Sequence, residues 1–278
     1  VLCVFVSCFV SSWIYGGIIT YLEGRSGTEA LLATMNFFFI YAGNLSRGTA
    51  SLMLEFGVPP YAMPATLGLI CCPLSTGFLY LINLCPPPSH FDISQRSART
   101  ALSPEAKWIF LSGNALGIVC MLIPYVLLAS LRSFRDFYAQ EIFTASLGRT
   151  DNPPSYVYFT VDIPGAVLSC IIQYSFHYCD SNAIAFTGML ITMILSVFAM
   201  LISTIVYDAS EASELSGFCW QVMIGVGIYG AYAMLGAAAW DRLISLLRVG
   251  GTCSFLVFMA DGCGYVGTTT LLLYQTFG

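Results

Sequence analysis

The sequence predicts an all-α membrane protein that crosses the bilayer several times, and two observations carry this prediction. Of the 278 residues, 57% are hydrophobic and only 9% are charged, with a mean hydropathy of +0.79. Soluble domains average about 25% charged residues, so this chain has too little polar surface to cover a soluble core. Its apolar residues also form runs of about 20, the length that a helix needs to cross a bilayer.

Eight apolar segments are candidate membrane spans, and segment 108–136 is the clearest of them. It runs without charge as far as Leu131 and then carries Arg132, Arg135 and Asp136. Charges on a membrane helix are costly beside lipid, so they are expected to face protein or a water-filled cavity. The eight segments are 1–22, 28–54, 61–84, 108–136, 160–178, 183–207, 217–240 and 252–277.

A polar stretch, residues 86–107, divides the chain into an N-terminal part, 1–85, and a C-terminal part, 108–278. It begins with three prolines, which end a helix, and it closes on Ser103-Pro104-Glu105, a typical helix start. Six Lys and Arg residues lie in loops on the side of this linker and three on the other side. The excess of positive charge predicts that the linker faces the cytoplasm.

A pattern repeated between segments 28–54 and 252–277 suggests that the two parts are related. The matches share one offset, 251 − 27 = 224, and pair Gly27-Thr28, Met35 and Tyr41-Ala42-Gly43 with Gly251-Thr252, Met259 and Tyr265-Val266-Gly267. Parallel repeats joined by a cytoplasmic linker are typical of the major facilitator architecture. The chain would then hold equivalents of helices four to eleven of twelve. Chance matching in apolar sequence is the alternative.

Four short motifs resemble those of an uncharacterised family of major-facilitator-like membrane proteins. They are YLEGR at 21–25, LRSFRD at 131–136, WDRL at 240–243 and ADGCGYVG at 260–267. Segment 108–136 is also distantly similar to helix seven of the organophosphate:phosphate antiporters, in which an arginine helps to bind phosphate. That resemblance implies the same role for Arg132, although Arg135 and Asp136 depart from the antiporter pattern.

Five side chains are predicted to bind substrate: Arg132, Asp261, Arg47, Asn44 and Asp162. A guanidinium offers a rigid fork of donors to phosphate or carboxylate, which favours Arg132 as the anion-binding group. Its alternative role is a structural ion pair with Asp136 or Asp162. Asp261 lies about ten residues into its helix, close to mid-membrane, where it either carries a proton or is a packed, hydrogen-bonded acid. Arg47 either lines the same cavity from the N-terminal part or extends to the membrane surface.

Six further charges are candidates for gating salt bridges. Glu23, Arg25, Asp241 and Arg242 lie at the predicted inner ends of two related helices, and Arg135 and Asp136 lie beyond Arg132. Ion pairs between the two parts would hold one side closed and break when it opens. Ordinary juxtamembrane charge is the alternative for the first four.

These features predict a secondary active transporter that works by alternating access on a small organic or phosphate-bearing anion, with a proton or a second anion as coupling ion. The alternative is a transporter-shaped receptor or scaffold that does not transport. No nucleophile–base pair, phosphate-binding loop or metal motif is visible, so the sequence predicts no enzyme, cofactor or metal site. The ten Lys and Arg residues are scattered, which argues against nucleic-acid binding and leaves the lipid bilayer as the main partner.

Overall fold

The computed structural model describes residues 28–84, 103–210, 213–247 and 254–277, together with the single positions 18, 86 and 89. The regular structure in these residues is helical. The α-helices are α1 (Thr28–Glu55), α2 (Met63–Asn83), α3 (Pro104–Gly113), α4 (Ala115–Phe137), α5 (Ala139–Ser146), α6 (Ser155–Thr160), α7 (Ile163–Ser175), α8 (Asn182–Ala209), α9 (Glu214–Ala233), α10 (Ala239–Leu247) and α11 (Ser254–Phe277). A 3₁₀ turn, Phe176–Tyr178, follows α7, and a π-helix, Met234–Ala238, joins α9 to α10.

Side-chain caps fix several helix starts. Ser103 Oγ accepts a hydrogen bond from Ala106 N at 3.2 Å, with Pro104 in the first helical position, as the sequence predicts. Helix α9 opens with a capping box in which Ser213 and Ser216 each accept from the other's backbone N–H. Helix α3 therefore begins at Pro104, the helix start that the sequence predicts.

Six helical stretches are long and apolar enough to cross a membrane, which makes this a multi-pass membrane protein. They are Met63–Asn83, Ala115–Phe137, Ser155–Tyr178, Asn182–Ala209, Glu214–Leu247 and Phe255–Gln275. Each corresponds to one predicted segment. Segment 28–54 forms α1, which is long but less apolar than these six, and segment 1–22 lies outside the described residues.

The C-terminal part has two tightly packed helix pairs. Helices α4 and α11 meet at Gly267, where a Cβ atom would lie 2.5 Å from Val126 Cγ1. Helices α7 and α9 meet at Gly165, where a Cβ atom would lie 2.9 Å from the backbone carbon of Gly225. Such close approach of two backbones at small residues is typical of membrane helices. The largest core cluster surrounds Tyr125 and Trp240.

Helices α1 and α2, from the N-terminal part, differ in how they pack. Helix α1 lies against α6 and α7, so it joins the predicted N-terminal part to the C-terminal part. Helix α2 contacts α1 and has no buried residue. The contact along α1 brings side chains of both predicted parts together.

Candidate functional site

The candidate site is built at the C-terminal end of α4, where three charged residues follow an apolar stretch. Arg132 and Asp136 are four residues apart and share one face of the helix, whereas Arg135 lies about 100° around the helix from Asp136. The two faces meet different neighbours. One forms a closed, buried network, and the other forms a looser cluster that includes α1.

Asp162 is the centre of the buried network. It lies between α6 and α7 with 0% of its surface exposed. Arg135 Nη1 is 2.8 Å from Asp162 Oδ1, Asn44 Nδ2 donates to Oδ2 at 2.5 Å, and Tyr229 Oη donates to Oδ2 at 3.0 Å. A buried carboxylate is tolerated only when it is paired and hydrogen-bonded in this way. The network ties together α1, α4, α7 and α9.

Arg135 has partners on every side. Its Nε donates to Gln221 Oε1 at 3.4 Å, its Nη2 donates to Gln221 O at 3.3 Å, and its guanidinium lies 5.5 Å from the centre of the Phe143 ring. Gly225 makes room for the pair, because a Cβ atom there would lie 2.6 Å from Asp162 Oδ1. Each of the three guanidinium nitrogens of Arg135 therefore has a protein acceptor.

Arg47 and Asp136 connect α1 to α4 across the predicted boundary between the two parts. Arg47 donates to Asp136 Oδ1 from Nη1 at 2.9 Å and from Nη2 at 2.8 Å, and Nη1 also reaches the Asp136 backbone carbonyl at 3.2 Å. About a quarter of each side chain is exposed. The second carboxylate oxygen, Oδ2, lies 3.8 Å from Arg132 Nε. Asp136 thus stands between two guanidinium groups that come from different parts of the chain.

Arg132 is held mainly by aromatic rings. Its guanidinium carbon lies 4.9 Å from the centre of the Tyr232 ring and 5.4 Å from the centre of the Phe39 ring. Stacking of this kind holds a guanidinium in place while its edge stays free to donate. Within the described residues Arg132 forms no hydrogen bond, and its Nε is among the buried atoms without one. Its side chain is 22% exposed.

Asp261 is connected to Arg132 through two tyrosines. Tyr125 Oη donates a hydrogen bond to Asp261 Oδ1 and lies 3.1 Å from Tyr232 Oη. The two tyrosine rings are stacked with their centres 5.3 Å apart, and Tyr232 carries Arg132 on its face. The predicted pair of Arg132 and Asp261 therefore belongs to one continuous chain of contacts.

The predicted gating residues have different positions. Glu23 and Arg25 lie outside the described residues. Arg242 is buried and donates to Asn182 Oδ1 at 2.7 Å and to the Phe176 carbonyl at 3.1 Å, which joins α10 to α8 and to the 3₁₀ turn. Asp241 is half-buried beside it. Arg135 and Asp136 pair with Asp162 and Arg47, respectively, so their role in gating stays a prediction.

Sequence reasoning did not identify five residues that complete the site. Gln221, Gly225 and Tyr229 recur every four residues along one face of α9, a polar and small stripe that is a usable signal in an apolar helix. Tyr125 and Tyr232 gave no such signal, since a tyrosine in an apolar run is usually part of the core. Tyr232 precedes the π-helix, a feature that is frequent at functional sites.

The comparisons with known proteins concern the family rather than the activity. The model of a family of unknown function, DUF5690, matches residues 1–278. The chain belongs to this family. No curated protein and no solved structure matches the DUF5690 chain. Among the described residues there is also no group of three or more His, Cys, Asp or Glu side chains that could hold a metal ion.

Proposed function

We propose that this DUF5690 protein is a secondary active transporter of the major facilitator type, with a small organic or phosphate-bearing anion as substrate. The proposal rests on one observation: Asp136 lies between Arg47 and Arg132, which come from the two predicted parts of the chain. A substrate with a carboxylate or phosphate group would be bound by the same two guanidinium groups that bind the Asp136 carboxylate.

The donors of Arg132 support this assignment. Arg135 is bonded to Asp162 and Gln221, and Arg47 is bonded to Asp136 through Nη1 and Nη2 although its Nε is buried without a hydrogen bond. Arg132 is held by the Tyr232 and Phe39 rings and forms no hydrogen bond within the described residues. Placing a guanidinium in an apolar bundle is costly, and leaving its donors unsatisfied adds to that cost. An anionic substrate would supply the acceptors. The distant similarity of this helix to helix seven of the organophosphate:phosphate antiporters points the same way.

Charge balance gives an independent argument. The cluster contains three guanidinium groups, on Arg47, Arg132 and Arg135, but two carboxylates, on Asp136 and Asp162. With these five groups ionised and Asp261 protonated, the cluster has one positive charge in excess. A monovalent anion beside Arg132 neutralises that charge.

The transport cycle follows from the position of Asp136. When the substrate binds Arg132 and Arg47, it competes with Asp136, whose bonds to Arg47 hold α1 against α4. Release of Asp136 loosens that contact, so the two parts can rock between inward-open and outward-open states around the bound anion. The rest of α4, as far as Leu131, is apolar and lies in the bilayer. We propose no enzymatic activity, because this cluster contains no nucleophile–base pair.

Transport by the reconstituted full-length protein tests the proposal. Liposomes containing the protein would be assayed for uptake of labelled inorganic phosphate, glycerol phosphate and a dicarboxylate, with Arg132→Gln and Arg132→Lys beside the natural sequence. We expect loss of uptake by a factor of about 100 in Arg132→Gln, because a charged hydrogen bond and its counter-charge contribute about 1.5–3 kcal/mol. Arg132→Lys, which keeps the charge without the fork, would retain partial uptake.

Arg149→Gln is the matched control. Arg149 is also an arginine paired with a carboxylate, since its Nε lies 3.5 Å from Glu214 Oε1, but that pair is on an exposed surface. Uptake by this variant should equal that of the natural sequence. Failure to detect Arg132-dependent uptake of any of the three anions would remove the proposal.

A transporter-shaped receptor or scaffold remains the second candidate. The observation that favours it is the closed network around Asp162, which binds four helices with buried, mutually satisfied groups. A protein that does not change state benefits from such a network. Cross-linking of α1 to α6 by paired cysteines at Ser51 and Ser155, whose Oγ atoms lie 3.4 Å apart, separates the two candidates: a transporter would be arrested by the link, and a scaffold would keep its partner.

A further inference from the structure

Asp261 differs from the other two carboxylates of the cluster in the kind of partner it has. Asp136 is bonded to Arg47, and Asp162 is bonded to Arg135 and two neutral donors. Asp261 is bonded to a neutral hydroxyl, that of Tyr125. Adding a proton to Asp136 or Asp162 would break an ion pair, whereas among the residues that the structure describes Asp261 has no ion pair to break.

Asp261 is also linked electrostatically to Arg132. The chain of contacts runs from Asp261 to the Tyr125 hydroxyl, then 3.1 Å to the Tyr232 hydroxyl, and Arg132 lies on the Tyr232 ring at 4.9 Å. The groups that face Asp261 from neighbouring helices are Tyr125 on α4, Tyr232 on α9 and, beyond them, Arg132 on α4. Interactions over such a distance stay significant where water is largely excluded.

The charge of Asp261 therefore decides whether the cluster attracts an anion. With Asp261 ionised, three arginines face three carboxylates, and the local charge is balanced. With Asp261 protonated, one positive charge is in excess at the group with unused donors, Arg132. An anion and a proton thus each raise the affinity of the site for the other, as linkage requires.

We propose that Asp261 is the proton-binding site of this protein and that a proton and an anion move together, as in a symporter. This inference rests on the proposed function. One proton passes from water to the Asp261 carboxylate, which becomes a neutral carboxyl, and one anionic charge binds at Arg132. On the other side of the membrane the anion leaves and the proton returns to water, so the charge of the site is restored.

The two tyrosines carry the signal between the sites. When Asp261 is ionised, Tyr125 donates to it, and the Tyr125 oxygen can accept from Tyr232. When Asp261 is protonated, its own O–H can donate to Tyr125, which then donates to Tyr232. The hydrogen bonds between these three residues therefore reverse direction. The last hydroxyl to change is that of Tyr232, whose ring packs against Arg132.

The experiment measures anion binding and proton-driven accumulation in the full-length protein. Binding of labelled inorganic phosphate and a labelled dicarboxylate would be compared between about pH 4 and about pH 9, a range that covers the titration of carboxyl groups in partly buried sites. In the natural sequence we expect affinity to fall by about tenfold as pH rises, and an inward proton gradient to drive accumulation. The two probes separate phosphate chemistry from carboxylate chemistry.

Asp261→Asn is the decisive variant, because it mimics the protonated acid. We expect it to lose the part of the pH dependence that comes from Asp261, which leaves only the part that comes from titration of the anion itself, and to lose accumulation driven by a proton gradient. Glu55→Gln is the matched control: Glu55 is also bonded to a neutral hydroxyl, that of Ser155, but it lies at the last residue of α1 and is exposed. It should keep the pH dependence of the natural sequence.

The outcomes separate this proposal from the one on which it rests. Arg132-dependent anion binding with the same pH dependence in Asp261→Asn as in the natural sequence overturns the proton site alone. Absence of Arg132-dependent binding overturns both. If Asp261→Asn does not fold, Tyr125→Phe serves instead, since it removes the hydrogen bond to Asp261; a pH profile identical to that of the natural sequence would then contradict the proposal.

Discussion

Arg132 and Arg135 lie three residues apart on α4 and have opposite surroundings. Arg135 is 5% exposed and bonded to Asp162 and Gln221, whereas Arg132 is stacked between two rings and forms no hydrogen bond within the described residues. One arginine closes a network, and the other leaves its donors available. The comparison teaches that a charge in a membrane helix is a candidate for ligand binding only when the protein has not already satisfied it.

The largest expected effect is on stability and comes from the closed network. Replacing Arg135 by Gln leaves the Asp162 carboxylate buried without its cation, which costs about 3–5 kcal/mol. The measurement is thermal or denaturant unfolding in detergent, followed by loss of monodisperse protein. Arg132→Gln, on the open side of the same helix, should lower stability by about 1 kcal/mol or less, since it gives up mainly cation–π contacts.

The opposite order of stability losses in the two variants would contradict this comparison. If Arg132→Gln destabilised the protein more than Arg135→Gln, Arg132 would be the structural cation and the proposed anion site would lose its basis. Equal effects would mean that the two arginines belong to one cooperative network.

The second effect is steric and concerns the space beside Asp162. Gly225→Ala places a methyl group where it would lie 2.6 Å from Asp162 Oδ1 and 3.7 Å from Arg135 Nη2. Because the carboxylate is held by partners on three helices, it cannot move freely, and we expect a loss of about 1–3 kcal/mol in unfolding experiments. Gly117→Ala on α4 is the control, since no atom lies within 4 Å of its added methyl group. If Gly225→Ala left the free energy of unfolding unchanged, the network around Asp162 would be able to adapt to the added methyl group.

The smallest expected effect is on anion affinity and concerns Asp136, which lies beside Arg132. Asp136→Asn removes the carboxylate charge that shares Arg47 and Arg132, so an anion no longer competes with it. We expect anion affinity to rise by about three- to tenfold, the equivalent of about 0.7–1.4 kcal/mol, while the free energy of unfolding changes by about 1 kcal/mol or less. Equilibrium binding of labelled phosphate would measure the anion affinity, and denaturant unfolding would measure the free energy of unfolding. Weaker anion binding in this variant would indicate that Asp136 positions Arg47 for the substrate instead of competing with it.

The sequence was enough to predict most of the helices. Composition and run length indicate the membrane class, and the start of α3 follows from local capping chemistry at Ser103. Helix α9, capped by Ser213, begins at Glu214, three residues before the predicted segment 217–240. Charged residues in apolar runs also drew attention to Arg132, Asp261 and Asp162, because such residues require a physical explanation wherever they occur.

The pairing of those charges could not be predicted, because it depends on the rotation of each helix. Each residue turns a helix by about 100°, so Arg135 lies about 60° to one side of Arg132 and Asp136 about 40° to the other. Which neighbouring helix each of them meets depends on the rotation of α4 in the bundle. The sequence left Asp136 and Asp162 as alternative partners for Arg132; Asp162 pairs with Arg135, and Asp136 bonds chiefly to Arg47. Tyr125 and Tyr232 were missed for the same reason, since only the packing of α4, α9 and α11 shows which tyrosines face the charges.

The π-helix Met234–Ala238 gives the span from Glu214 to Leu247 a joint within its length. Its wider turns hold an additional residue, and conversion to α-helix rotates one side of a helix against the other by about 100° per residue. Tyr229, before the joint, is fixed to Asp162, and Arg242, after it, is fixed to Asn182 and the Phe176 carbonyl. A rotation within the π-helix would therefore break the bonds of either Tyr229 or Arg242 while the bonds of the other remain. Tyr232, two residues before the π-helix, would move as well, and with it the ring that packs against Arg132.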